Sequence, residues 1–116
     1  MPTTMSKKQK RHLQELSNRC YELELSEALN ELYQDFDKWK KGSISIWDLQ
    51  EKIHQHHDGI SRDLYNLYDM LRDPYKAVAR GVAKGIIKLE DVQKDCHSIL
   101  ERHIEYYIQQ KDSTTS

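Results

Sequence analysis

The sequence contains few of the residues that interrupt helices. Only four Gly and two Pro occur among 116 residues, and no two of them are adjacent. A β protein made of many short strands needs more turn residues than this. The composition therefore predicts an all-α protein with long helices and few breaks.

Cysteine is also scarce, since Cys20 and Cys96 are the two that occur. Two thiols are too few for a disulfide scaffold or for a structural zinc site. No apolar run reaches the length of a membrane span, and no apolar core follows the basic residues near the N-terminus. We therefore expect a cytoplasmic protein that makes no membrane contact.

The formal net charge is only −1, which gives no general attraction to nucleic acid. The charges are nevertheless unevenly distributed. Residues 1–20 carry five basic residues and one acidic residue, whereas residues 21–40 carry six acidic residues and two basic ones. This pattern predicts two oppositely charged surfaces, which could also help neighbouring copies of the chain to associate.

The spacing of apolar residues predicts a long first helix from about Ser6 to Lys40, followed by a stop at Gly42. Its second half carries a stripe with steps of four and three residues: Leu25, Leu29, Leu32, Phe36 and Trp39. Residues with this spacing lie on one side of a helix. We expect the stripe to face a core or a partner.

Four shorter helices are predicted after Gly42. Their start and stop signals are Ser45 with Asp48, Asp58–Gly59, Ser61 and Asp73–Pro74, and the last helix covers about Leu89 to Gln110. Ala77, Gly81 and Gly85 recur every four residues, which predicts that another helix approaches closely. The predicted fold is a single-domain bundle of about five helices over residues 6–110, with disordered termini at 1–5 and 111–116.

A cluster of carboxylate and imidazole side chains forms the first candidate site. Glu51, His54 and Asp58 are spaced by three and four residues, and His57 lies three residues beyond His54. Such spacings can place ligands for a transition metal on one helix. The Glu-x-x-His unit of di-iron bundles is present once here, where those bundles need it twice. A structural role is the alternative, because cationic imidazole is favourable near a helix C-terminus.

Calcium binding and nucleophilic catalysis are not expected. The segment from Asp37 to Asp48 has the glycine of a calcium loop at Gly42, but Trp39 and Lys41 occupy positions where oxygen ligands belong. Both cysteines fall on apolar helical stripes, which indicates buried thiols. We expect no calcium site and no catalytic residue, and no cofactor unless the cluster at residues 51–58 binds a transition metal.

Basic residues and tyrosines supply two further candidate surfaces. The first is a basic arm, defined as Lys7, Lys8, Lys10 and Arg11, which could contact phosphates. Specific nucleic-acid binding is not expected from it, because the usual footprint is a broad basic face. The second is a tyrosine-rich interaction surface in the second half of the chain: Tyr65, Tyr68, Tyr106 and Tyr107. The same tyrosines could instead cover a small core with their hydroxyls in water.

The stretch from Leu29 to Tyr68 resembles a group of short, uncharacterised all-helical bacterial proteins. The residues that carry the resemblance are Phe36, Trp39, Gly42, Ile44, Leu49, Ile53, His54, His57, Gly59 and Arg62. The chain departs from the pattern at Ile60-Ser61, where proline is expected. The resemblance implies no activity, but it places two imidazoles and the Arg62 guanidinium around Gly59, where they could bind an anion or hydrogen-bond the turn.

The sequence favours a non-enzymatic interaction or regulatory module that binds another protein or forms a homo-oligomer. The first alternative is a metal-binding enzyme or sensor that uses the cluster at residues 51–58. The second is nucleic-acid association through the basic arm. No motif in the chain identifies a substrate or a reaction.

Overall fold

A computed structural model describes residues 5–114 of the chain, with side chains described through residue 110. The described residues form helices and contain no strand, which confirms the predicted all-α class. The elements are α1 (Lys7–Lys40), α2 (Ile46–Gln55), a π-helical segment (His56–Ser61), α3 (Arg62–Met70), α4 (Pro74–Ala83), 3-10 turns at Leu89–Asp91 and Lys94–Cys96, and α5 (His97–Thr114). No described helix combines the length and the apolar character that crossing a bilayer requires.

Helix α1 runs without interruption between two well-defined ends. At its start the Ser6 hydroxyl accepts a bond from the Gln9 amide, and the Gln9 side chain accepts one from the Ser6 amide, as in a capping box. At its end Gly42 has φ +81, and Ser43 N–H donates to the Lys38 carbonyl at 2.8 Å. Because a left-handed residue is least strained when it is glycine, Gly42 ends the helix as the sequence predicts.

The break predicted at Asp58–Gly59 does not occur. Helix α2 begins at the predicted Ser45–Asp48 capping box and continues through the π-helical segment into α3. Gly59 adopts a helical rather than a left-handed backbone conformation. Ile60 keeps a backbone N–H that a proline would lack, so the chain can continue as a helix. The predicted second and third helices are therefore one continuous helical rod.

Contacts divide the chain into two compact units. The central unit is Tyr21–Met70, and the terminal unit combines Met1–Cys20 with Leu71–Ser116. In the central unit, Ala28, Leu49 and Leu64 are buried. The Tyr68 ring stacks on the Tyr21 ring with centroids 4.6 Å apart, and its hydroxyl donates to a Glu24 carboxylate oxygen at 2.6 Å. This aromatic pair joins the middle of α1 to α3.

The terminal unit has the more completely buried core. Its largest fully enclosed side chains come from α1, α4, α5 and the turn before α5: Leu13, Cys20, Val78, Cys96 and Leu100. A β-carbon added at Gly81 would lie 2.5 Å from the Cys20 sulfur. This confirms that a small residue in α4 allows another helix to approach closely, and the helix that does so is α1.

Two boundaries in the terminal unit differ from the prediction. Gly85 has φ +75 and ends α4, with Ile86 N–H bonded to the Gly81 carbonyl, so it is a helix stop rather than a packing residue. Helix α5 begins at His97 instead of Leu89, because 3-10 turns occupy the interval. It runs on past Gln110 to Thr114. Of the termini predicted to be disordered, residues 1–4 and 115–116 lie outside the described residues.

Candidate functional site

The predicted cluster at residues 51–58 lies on the continuous rod that α2, the π-helical segment and α3 form. Asp58 is at its centre, because His54 Nε2 lies 2.9 Å from one Asp58 carboxylate oxygen and the Arg62 guanidinium lies 3.7 Å from the other. The three side chains follow one another at intervals of four residues, which places them in one row. All three are exposed.

The rest of the cluster does not join this row. Glu51 accepts a hydrogen bond from the Gln55 amide at 3.3 Å, and His57 is exposed with no polar partner among the described residues. Within residues 5–110, no group of three or more His, Cys, Asp or Glu side chains is arranged to hold a metal ion. The two side chains that could hold an anion, His54 and Arg62, already face the Asp58 carboxylate. The row therefore stabilises the helix locally, and its geometry gives no support to a metal or anion site.

In the segment that resembles a calcium loop, the first carboxylate, Asp37, forms an ion pair with a lysine. Lys41 Nζ lies 2.8 Å from an Asp37 carboxylate oxygen. The hydrogen bond and the charge of Asp37 raise the pKa of the Lys41 ammonium. Asp37 is therefore paired with a cation of its own segment.

The four tyrosines of the predicted interaction surface lie in different environments. Tyr65 and Tyr106 are exposed, whereas Tyr68 is half-buried by its stack on Tyr21. Tyr107 is half-buried, and its pKa is raised chiefly by burial and then by Tyr106, while Arg80 lowers it. Tyr65 and Tyr68 belong to the central unit and the other two to the terminal unit. Tyr68 therefore packs inside the central unit.

The apolar stripe of α1 is covered along one side and open along the other. On the covered side, Ala28 and Leu32 line a groove of about 280 Å³ together with Lys52, His56 and Ile60 of the rod. On the open side, Leu29, Tyr33 and Phe36 are 48%, 72% and 37% exposed. We call these three residues the α1 face. They are spaced by four and three residues and so form one contiguous strip.

Sequence reasoning placed Leu29 and Phe36 on the stripe but did not include Tyr33 in it. A helical wheel could have found Tyr33, because it lies four residues after Leu29 and three before Phe36. No sequence signal indicates which side of the stripe α2 and α3 cover. That depends on how the rod packs on α1.

The basic arm occupies the first two turns of α1, and all four of its cations are exposed. Lys10 and Arg11 lie at a cavity of about 460 Å³ in the terminal unit, whereas Lys7 and Lys8 do not line it. The structure thus divides the arm into two pairs with different surroundings.

Comparison of the chain with protein-family models, with curated proteins and with solved structures found no match.

Proposed function

We propose that the chain is a non-enzymatic interaction module that binds a second copy of itself through the α1 face. The observation that carries this proposal is the exposed strip of Leu29, Tyr33 and Phe36 on an otherwise regular helix. Aromatic and aliphatic side chains grouped on one surface favour contact with another protein. Burying them would stabilise a complex by about 25 cal/mol for each Å² of apolar area removed from water.

The charges at the two ends of the α1 face favour a second copy as the partner. Glu22 and Lys40 are 18 residues apart, which is five helical turns, so both side chains lie at the same angle around α1. Both are exposed, and neither has an ion-pair partner among the described residues. The strip is thus flanked by an unpaired carboxylate two turns before Leu29 and by an unpaired ammonium one turn after Phe36.

An antiparallel pair of α1 helices would satisfy both charges at once. A two-fold axis at the level of residue 31 places Glu22 opposite Lys40 of the other copy, and Lys40 opposite Glu22. The same axis places Leu29 opposite Tyr33, because these residues are also equidistant from residue 31. In a two-fold interface each contact occurs twice, because residue i of one copy contacts residue j of the other and the reverse. In a parallel pair, Glu22 would face Glu22 and Lys40 would face Lys40.

The contact is small, so the association is expected to be weak. A standard stable interface buries about 1,600 Å² in total, and one helical strip on each copy supplies less than that. We therefore expect a dissociation constant in the micromolar range, about −8 kcal/mol or weaker. Such an affinity would make the dimer sensitive to protein concentration.

Sedimentation velocity of the full chain over a range of concentrations tests the proposal. Replacing Leu29→Ser together with Tyr33→Ser should abolish concentration-dependent association, because it removes the apolar centre of the contact. Trp47→Ser is the matched control, since Trp47 is 79% exposed but lies on α2. A wild-type chain that stays monomeric, or equal effects of Trp47→Ser and of the double change, would contradict the proposal.

A further inference from the structure

The cavity beside the basic arm has the size and the lining of a small-ligand site. Its volume of about 460 Å³ falls within the range of small-molecule pockets, roughly 300–1,000 Å³. The lining comes from the start of α1 and the start of α4: Met5, Lys10, Arg11, Leu13, Gln14, Asp73, Pro74 and Tyr75. All these residues belong to the terminal unit.

The lining separates into an apolar part and a cationic part. Leu13 is fully buried, and Met5, Pro74 and Tyr75 are half-buried, so these four supply the apolar wall. The Tyr75 ring is supported by the His103 ring, whose centroid lies 4.9 Å away. An aromatic ring held in this way offers a fixed surface for a planar group.

Lys10 and Arg11 provide two positive charges that form no ion pair within the described residues. Both are exposed, and neither has an ion-pair or hydrogen-bond partner for its side chain among the described residues. The one carboxylate of the lining is Asp73, one oxygen of which accepts from the Tyr75 hydroxyl at 3.4 Å and lies 3.9 Å from Lys76 Nζ. Two cations and one carboxylate give the lining a net positive formal charge.

We propose that this cavity binds a small organic anion with a planar apolar body. The body lies against Tyr75 and Leu13, and the anionic group is held by Lys10 and Arg11. A carboxylate and a phosphate share the chemistry that these cations recognise, since both offer oxygens to Lys and Arg. The site lies in the other unit from the α1 face, so it stands or fails independently of the proposed self-association.

Three probes with one common ring system test the site: naphthoate, naphthyl phosphate and the neutral naphthylmethanol. Each is titrated into the full-length chain at about 0.15 M salt, where charges more than about 8 Å apart are largely screened. Amide proton–nitrogen correlation spectra report the residues that respond. We expect shifts at Met5, Leu13, Gln14 and Tyr75, and an affinity at least about tenfold higher for one or both anions than for the alcohol. The comparison of naphthoate with naphthyl phosphate identifies which anionic group is preferred.

Two double variants provide the decisive comparison. Lys10→Glu with Arg11→Glu should lower anion affinity by about tenfold or more and leave alcohol binding unchanged. Lys7→Glu with Lys8→Glu makes the same charge change in the same arm, away from the cavity, and should have little effect. All four positions are exposed, and acidic residues near a helix N-terminus are favourable, so both variants should fold. Equal losses in the two variants, shifts confined to the α1 face, or no binding of either anion would overturn the proposal.

Discussion

The close approach of α1 and α4 predicts that Gly81→Ala destabilises the terminal unit. An added β-carbon would lie 2.5 Å from Cys20 Sγ and 3.4 Å from Ile87 Cγ1. Ordinary carbon contacts are about 3.5–4.0 Å, so the two helices would have to separate by about 1 Å. Cys20 is 0% exposed and has no solvent-facing space into which to turn.

The expected size of the effect follows from two opposing contributions. Overpacking a core costs about 1–3 kcal/mol, whereas alanine is favoured over glycine in a helix by about 1 kcal/mol. We therefore expect Gly81→Ala to lower the free energy of unfolding by up to about 2 kcal/mol. Gly59→Ala is the matched control, because Gly59 is helical and a β-carbon there would meet nothing within 4 Å. That change should raise the free energy of unfolding by up to about 1 kcal/mol.

Denaturant unfolding followed by far-ultraviolet circular dichroism measures both variants. The two midpoints should move in opposite directions with unchanged slopes. Adding Cys20→Ala to Gly81→Ala should recover part of the loss, so that the two changes together cost less than the sum of the single ones. If Gly81→Ala stabilised the protein as much as Gly59→Ala, α1 and α4 could not be as close as described.

Three further predictions concern thiols, pH and capping. Cys20 and Cys96 are 0% exposed, so Ellman's reagent should label two thiols only after unfolding, and rapid labelling under native conditions would refute their burial. Burial, and then Asp95, raise the pKa of the Cys96 thiol above its ordinary value of 9.0. Because the pKa is raised, the folded state keeps the thiol proton to a higher pH than the unfolded state does. The stability that this difference contributes is fully present below pH 9.0 and is lost as the pH rises through the pKa of the folded state. Denaturant midpoints should therefore fall in alkaline solution, and a rise would contradict the sign. Ser45→Ala should cost about 1 kcal/mol by removing the Asp48 amide's acceptor, and Ser43→Ala, outside the cap, should cost less.

The sequence predicted those elements whose ends depend on local chemistry. The Ser45–Asp48 capping box, Pro74 at the first turn of α4 and Gly42 after α1 all act over a few residues, and the structure has each of them. Local signals failed where the same residues suit either a turn or a continuous helix. Asp58–Gly59 suits a turn, yet Gly59 lies in a helix, and Leu49 and Leu64 are buried on either side of it.

The candidate sites show the same limit more clearly. Spacing grouped Glu51, His54 and Asp58, of which the structure pairs His54 with Asp58, whereas Arg62 was included only through the resemblance. Spacing could not reveal that α2 and α3 leave Leu29 and Phe36 uncovered. Nor could it reveal the cavity at Lys10 and Arg11, whose opposite wall comes from the start of α4, far along the chain. Both surfaces depend on contacts between distant segments.

The most direct measurement of the proposed self-association is sedimentation velocity on two charge variants, Glu22→Lys and Lys40→Glu, alone and mixed. In the antiparallel pair each variant alone places like charges opposite each other twice, which should weaken association by about tenfold. An equimolar mixture restores both opposite-charge pairs, and the doubly exchanged chain should associate like the wild type. Wild-type association in either single variant, or a mixture that remains monomeric while the wild type dimerises, would contradict the antiparallel α1 interface.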